Sequence, residues 1–199
     1  MKWPTAIVVV VSLVFLSSCE AVFTFSPLKA FATDPSKMSP AQQVAYAEQA
    51  LASGNVDAMT SAYNAIKDST DPSTQLLAGE LAFNISGATN VVTQALGVVA
   101  SGGSLSSVQS ELQSINTSLV SAGAQDIVAA DNAGVPVSDT QYAVAAASLA
   151  ASAAAQAGGY SNLSSLTSGQ PGYADYQLAK TLSAKITSPS LSSAINDLM

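Results

Sequence analysis

Apolar residues recur every three or four positions from residue 39 to the end of this chain, the spacing of helices that each bury one face. Ser39, Pro40 and Gln42 have the chemistry of a helix start, with serine at the N-cap, proline in the first turn and glutamine three residues on. Val44, Ala47 and Leu51 follow on one face, and Gly54-Asn55 ends the helix. Val56, Met59, Tyr63 and Ile66 form the stripe of a second helix, broken by Asp71-Pro72-Ser73. Leu77, Leu81 and Ile85 predict a third, stopped near Gly87. Val92, Leu96 and Val99 predict a fourth, stopped by Ser101-Gly102-Gly103. Leu105, Val108, Leu112, Ile115 and Leu119 predict the clearest helix, capped by Ser104 and followed by Gly123. A short helix with Ile127 and Ala130 ends near Gly134-Val135-Pro136. Ser138 and Gln141 then start an alanine-rich helix through Tyr142, Ala146, Leu149 and Ala153 to Gly158-Gly159. Its small side chains predict close contact with its neighbours, deep in the fold. Leu163 and Leu166 mark a short helix. Pro171-Gly172 opens a longer one through Tyr176, Leu178, Leu182 and Ile186, and Ser188-Pro189 starts a last one with Leu191, Ile195 and Leu198.

Glycines at 54, 87, 123 and 158 punctuate this pattern at intervals in the mid-thirties, the period of two-helix repeats. A hairpin of that size cannot bury its apolar face alone, so neighbours must stack. The first unit, Gly54-Asn55-Val56-Asp57 with Met59, Tyr63 and Ile66 and the boundary Asp71-Pro72, resembles a tetratricopeptide (TPR) repeat. The second keeps Gly79, Ala82, Gly87, Val92, Leu96 and Val99 at comparable positions; the later units match by spacing alone. Met59 and Ile66 stand where that family prefers alanine. The resemblance implies an all-α fold of antiparallel helical hairpins stacked as a short TPR-like solenoid. It also implies an inner surface lined by the first helix of each pair, with Gln42, Tyr46, Gln49, Gln75 and Gln113 as the candidate partner groove.

The N-terminus follows a different logic. Met1-Lys2 is a short positive start, and Thr5 to Leu16 is almost wholly aliphatic. That run has the length of a signal h-region and falls short of the roughly 20 residues of a spanning helix. It ends in Leu16-Ser17-Ser18-Cys19, which holds the only cysteine of the chain. The stretch resembles the lipobox of bacterial lipoproteins. The resemblance implies cleavage before Cys19 and lipidation of its thiol, with attached palmitate-type acyl chains. A secretory signal with an incidental cysteine and a short membrane anchor are the other readings. The expected organisation is a signal peptide over 1–18, a lipidated tether over 19–38 interrupted by Pro27 and Pro35, and a helical domain over 39–199. Glu20 after the cysteine, in place of aspartate, favours the outer membrane, facing the periplasm, over the inner membrane of a Gram-negative envelope.

Composition narrows the function. The 199 residues include six lysines, no arginine and no histidine against thirteen acids, for a formal net charge of −7. Nucleic acid is a poor partner, because phosphate contacts need a basic surface, and none is expected. Without histidine there is no Ser-His-Asp triad, no Cys-His pair and no histidine metal site. No Gly-rich loop with a lysine resembles a phosphate cradle. Asp68 and Asp71 read as turn and helix-dipole residues. Asp126 and Asp131 are badly spaced for one helix face, and Glu48 and Glu80 read as helix surface that could face a groove. Tyr142, Tyr160, Tyr173 and Tyr176 read as core side chains that could alternatively line a ligand groove. The expectation is a non-enzymatic envelope lipoprotein, without cofactor or metal, whose helical domain binds or scaffolds another envelope protein. The alternative is a periplasmic small-molecule or lipid-binding accessory component of a transport system.

Overall fold

Helix starts are set by local capping. The computed structural model describes residues 34–199. Gln42 Oε1 accepts hydrogen bonds from the Ser39 N–H (3.0 Å) and hydroxyl (2.9 Å) at the head of α1 (Pro40–Ser53). Gly54, left-handed at φ 65°, ends that helix. Asn55 caps α2 (Val56–Ile66) by accepting from the Ala58 N–H at 2.9 Å. Asp71 caps α3 (Pro72–Ile85) through the Thr74 N–H at 2.8 Å. Gly87, at φ 80°, separates α3 from α4 (Ala88–Ala100).

The next segment departs from the predicted continuous helix over 105–119. Leu105–Val108 is a 3-10 turn, and Gln109–Leu112 is a single α-helical turn, α5. A new helix, α6, starts only at Thr117 and runs to Asn132. Val108, Leu112 and Ile115 are all buried, so the apolar period reported burial correctly but not backbone continuity. Local serine bonds accompany the break. The Ser107 hydroxyl donates to Ser104 O (3.0 Å) and that of Ser114 to Glu111 O (2.7 Å), local bonds that compete with helix propagation. The Asn116 N–H then leaves to bond Ser86 O at 2.9 Å, while its side chain caps α6 on the Leu119 N–H at 3.2 Å. The short helix predicted around Ile127 is the second half of α6, and Gly123 lies inside that helix rather than ending one.

Position 123 holds a glycine because the neighbouring helix occupies the space of a side chain. A Cβ on it would lie 2.9 Å from both Gly79 O and Ala82 Cβ, and a Cβ on Gly79 would lie 2.7 Å from Gly123 O. Thus α3 and α6 cross with their main chains nearly in contact.

The alanine-rich segment forms α7 (Asp139–Ala157), opened by the Ser138–Gln141 capping box. Twelve of its nineteen residues are buried. It touches α3, α4, α5, α6, the 3-10 segment Tyr160–Ser165, α8 (Tyr173–Ser183) and α9 (Pro189–Asn196). Its small side chains let these elements approach closely, so its stabilisation comes from dense contact rather than large buried side chains. A second, smaller core joins α1 and α2 to α3 through Ala47, Ala50, Met59, Tyr63, Ile66 and Leu81. Residues Met38–Met199 form one compact unit, an all-α bundle with no strand among the described residues. No helix among the described residues is long and apolar enough to cross a membrane.

Candidate functional site

The five predicted groove residues fall in three places. Gln42, Tyr46 and Gln49 share one face of α1, where Gln42 and Gln49 are exposed and Tyr46 is half-buried against the smaller core. The Gln42 side chain is engaged in capping Ser39. Gln75 is half-buried in the first turn of α3. Gln113 is exposed in the turn after α5, not on the long helix expected there. Cys19 lies outside the described residues.

A broad concavity of about 780 Å³ is formed by the start of α1, the end of α2 and the loop into α3. Val44, Ala65 and Ile66 are its apolar part, and Asp68, Thr70 and Asp71 are among its polar groups. None of the five predicted residues lines it; Gln43 and Val44 do so from α1. Asp71 is committed to the cap, accepting from the Ser73 hydroxyl and from the N–H and hydroxyl of Thr74, which hold its carboxyl below the usual range.

A smaller cavity of about 150 Å³ lies where α3, α6 and α7 meet. Phe83 and Ile127 are buried apolar residues of its lining, with Val144 half-buried beside them. Glu80, half-buried, also lines it, with Asn84, Thr140 and Gln141. Glu48, the other groove acid weighed from sequence, is exposed.

The remaining charged groups tie helices together. Asp175, in the first turn of α8, accepts from the hydroxyls of Ser121 (3.0 Å) and Ser152 (2.6 Å) and from Gln156 Nε2 (2.8 Å). It thereby joins α6, α7 and α8. Removing it strands the hydroxyl of the fully buried Ser152, so Asp175→Ala is expected to lose about 2 kcal/mol in urea unfolding. Asp175→Asn keeps an acceptor and is expected to lose less. Asp131 accepts from Lys185 Nζ and, at 2.8 Å, from the Tyr142 hydroxyl. These donors, Lys185 first, hold its carboxyl low, while burial and the Asp131 bond push the Tyr142 hydroxyl up to about 12. Asp139 accepts from the N–H and hydroxyl of Thr187 and the Ser188 N–H, fastening the start of α9 to α7. Tyr142 and Tyr160 are core residues, as their helical setting predicted, whereas Tyr173 and Tyr176 are half-buried.

Asp126 is different. It is half-buried on α6, its carboxyl takes no hydrogen bond from a described residue, and burial pushes that carboxyl up to about 6. The folded protein therefore holds this proton more tightly than the unfolded chain, whose ordinary value is 3.8. The stability from that difference is fully present below about pH 4 and is lost as pH rises through about 6. In a dry interior the rise would be worth about 3 kcal/mol. Solvent access to a half-buried group reduces this to about 1 kcal/mol. Asp126→Asn is expected to gain that amount at pH 7, to match the parent at pH 4, and to flatten the dependence between; urea titrations at both pH values check it.

No group of three or more histidine, cysteine or acidic residues among the described residues is placed to hold a metal ion. Comparison with protein-family models, with curated proteins and with solved structures finds no match to this chain.

Proposed function

We propose that the chain is a lipid-anchored lipoprotein of a bacterial envelope whose helical domain binds or scaffolds another envelope protein without catalysing a reaction. The observation that carries the reading is Leu16-Ser17-Ser18-Cys19 directly after a positive start and an aliphatic run. Acyl chains on Cys19 fasten the mature N-terminus to the bilayer, on the periplasmic face of the outer membrane where the envelope has one. The domain then meets partners close to that surface. Its hairpin α1–α2 stacks on α3 in the manner of a TPR unit, which is supported by the packing of α1 on α2 and of both on α3. The face of α1 carrying Gln42, Tyr46 and Gln49, exposed at Gln42 and Gln49 and half-buried at Tyr46, is neutral and polar, suited to contacts with backbone or apolar segments rather than a charged tail.

A photo-crosslinking side chain placed at Gln49 in intact envelopes tests the partner. The expected result is one reproducible envelope protein joined from Gln49 and not from the equally exposed Gln177 on α8. Absence of any reproducible partner at Gln49 contradicts the binding role. A second reading, a small-molecule-binding accessory component of a transport system, is favoured by the cavity beside Glu80.

A further inference from the structure

We propose that the cavity between α3, α6 and α7 is a binding site for a primary alkylammonium group, seated with its alkyl chain on Phe83, Ile127 and Val144 and its charge on Glu80. The inference supplies a ligand class for the second reading above and stands independently of the anchor and of any partner on α1.

The argument starts from a capping box. Gln141 Oε1 accepts from the Ser138 N–H (2.8 Å) and hydroxyl (2.9 Å), which fixes the amide and turns its Nε2 away from the helix start. That Nε2 donates to Glu80 Oε1 at 2.5 Å across the α3–α7 junction. One carboxylate oxygen is thus held in place by a side chain that is itself held. The other, Oε2, takes no hydrogen bond from a described residue, and no lysine pairs with Glu80. The ion pair among the described residues is Lys185–Asp131.

The rest of the lining has the same sense. Asn84 spends its Nδ2 on Glu80 O at 2.9 Å, which leaves its Oδ1 as a spare acceptor. Thr140 adds a hydroxyl oxygen. The cavity therefore offers a negative charge and several acceptors, beside one further N–H each on Asn84 and Gln141. An ammonium has three donors and no acceptor, the complement of such a set. An anion there would meet the Glu80 charge at close range.

Size and floor narrow the class. At about 30 Å³ per water-sized group, the 150 Å³ cavity holds about five heavy atoms. Phe83, Ile127 and Val144 make up the apolar part of the lining, so a short alkyl chain meets carbon there rather than polar atoms. The Phe83 ring adds an aromatic surface, which attracts cations. A butylammonium, as a free amine or as the end of a lysine side chain, meets these requirements.

The test uses the mature acylated protein in a nonionic detergent, with isoleucine δ1 methyl groups labelled for NMR. The probe is n-butylammonium chloride; n-butanol and matched sodium chloride are the controls. The expected result is a saturable shift of the Ile127 methyl with butylammonium alone, while Ile186 and Ile195 stay in place. Glu80→Gln keeps an acceptor for Gln141 but removes the charge, and is expected to abolish the shift with the Ile186 and Ile195 signals unchanged. Val144→Met fills the cavity without touching the charge and is expected to weaken the response as well. N-acetyl-lysine methylamide separates the sources: a response to it as well as to the free amine fits a lysine side chain, and a response to the free amine alone fits a small molecule. The proposal is overturned if Ile127 does not respond, responds equally to butanol, or responds undiminished in Glu80→Gln.

Discussion

Gly123→Leu and Gly79→Leu are each expected to cost about 3 kcal/mol or more, a large share of the roughly 5–15 kcal/mol that holds a domain together. Two opposed effects decide this. Replacing a mid-helix glycine by alanine normally gains up to about 1 kcal/mol from backbone entropy. At this crossing the first side-chain carbon already meets backbone, 2.7 Å from Gly123 O or 2.9 Å from Gly79 O, so the two helices must separate. Separation opens the interface of α3 with α6 and disturbs the buried Phe83 and Ile127 beside it. Gly97 is the control, because a Cβ there meets nothing within 4 Å. Gly97→Ala is expected to gain about 0.5–1 kcal/mol. Urea unfolding of the three variants reads the contrast directly. If Gly123→Leu were as stable as the parent, α3 and α6 would not cross at these residues.

The same two glycines show what the sequence could and could not disclose. Helix starts were legible where a side chain caps its own backbone, as at Ser39, Asp71 and Ser138, because the partners lie within three residues. The buried setting of α7 was legible in its alanines. Gly123 was misread as a stop because a glycine that ends a helix and a glycine that admits a neighbouring helix are the same letter. The second role depends on Gly79, far away in sequence. The break after Leu112 was hidden by an apolar stripe that stays buried through a 3-10 turn and a loop. At the candidate sites, the sequence marks Glu80 as an acid that could face a groove and Gln141 only as a cap. That one amide serves both the cap and Glu80 follows from a contact between residues 61 apart in sequence. Asp175 gave no local signal, since the three side chains that bind it come from α6 and α7.

The second large effect concerns the anchor. Cys19→Ser is expected to abolish incorporation of a palmitate label completely, against clear incorporation in the parent. The hydroxyl is smaller and far less nucleophilic than a thiolate, so a thioether to a diacylglycerol does not form. Membrane attachment should change with it. Each buried methylene of an acyl chain contributes about 0.8 kcal/mol, and a single chain binds only marginally. On the anchored account, diacylglycerol plus an N-acyl chain supplies several chains together, and their joint loss removes most of the membrane affinity. Equal labelling of the Cys19→Ser chain would show that acylation lies elsewhere. The stability of the domain is expected to be the same in both chains, which separates anchoring from folding.

Mass spectrometry of the N-terminal peptide of the mature protein, isolated from its own membranes, tests the central claim most directly. The anchored account predicts a chain that begins at Cys19 and carries the added mass of a diacylglyceryl group and an acyl chain. A chain that retains residues 1–18, or one that begins at Cys19 with an unmodified thiol, contradicts it.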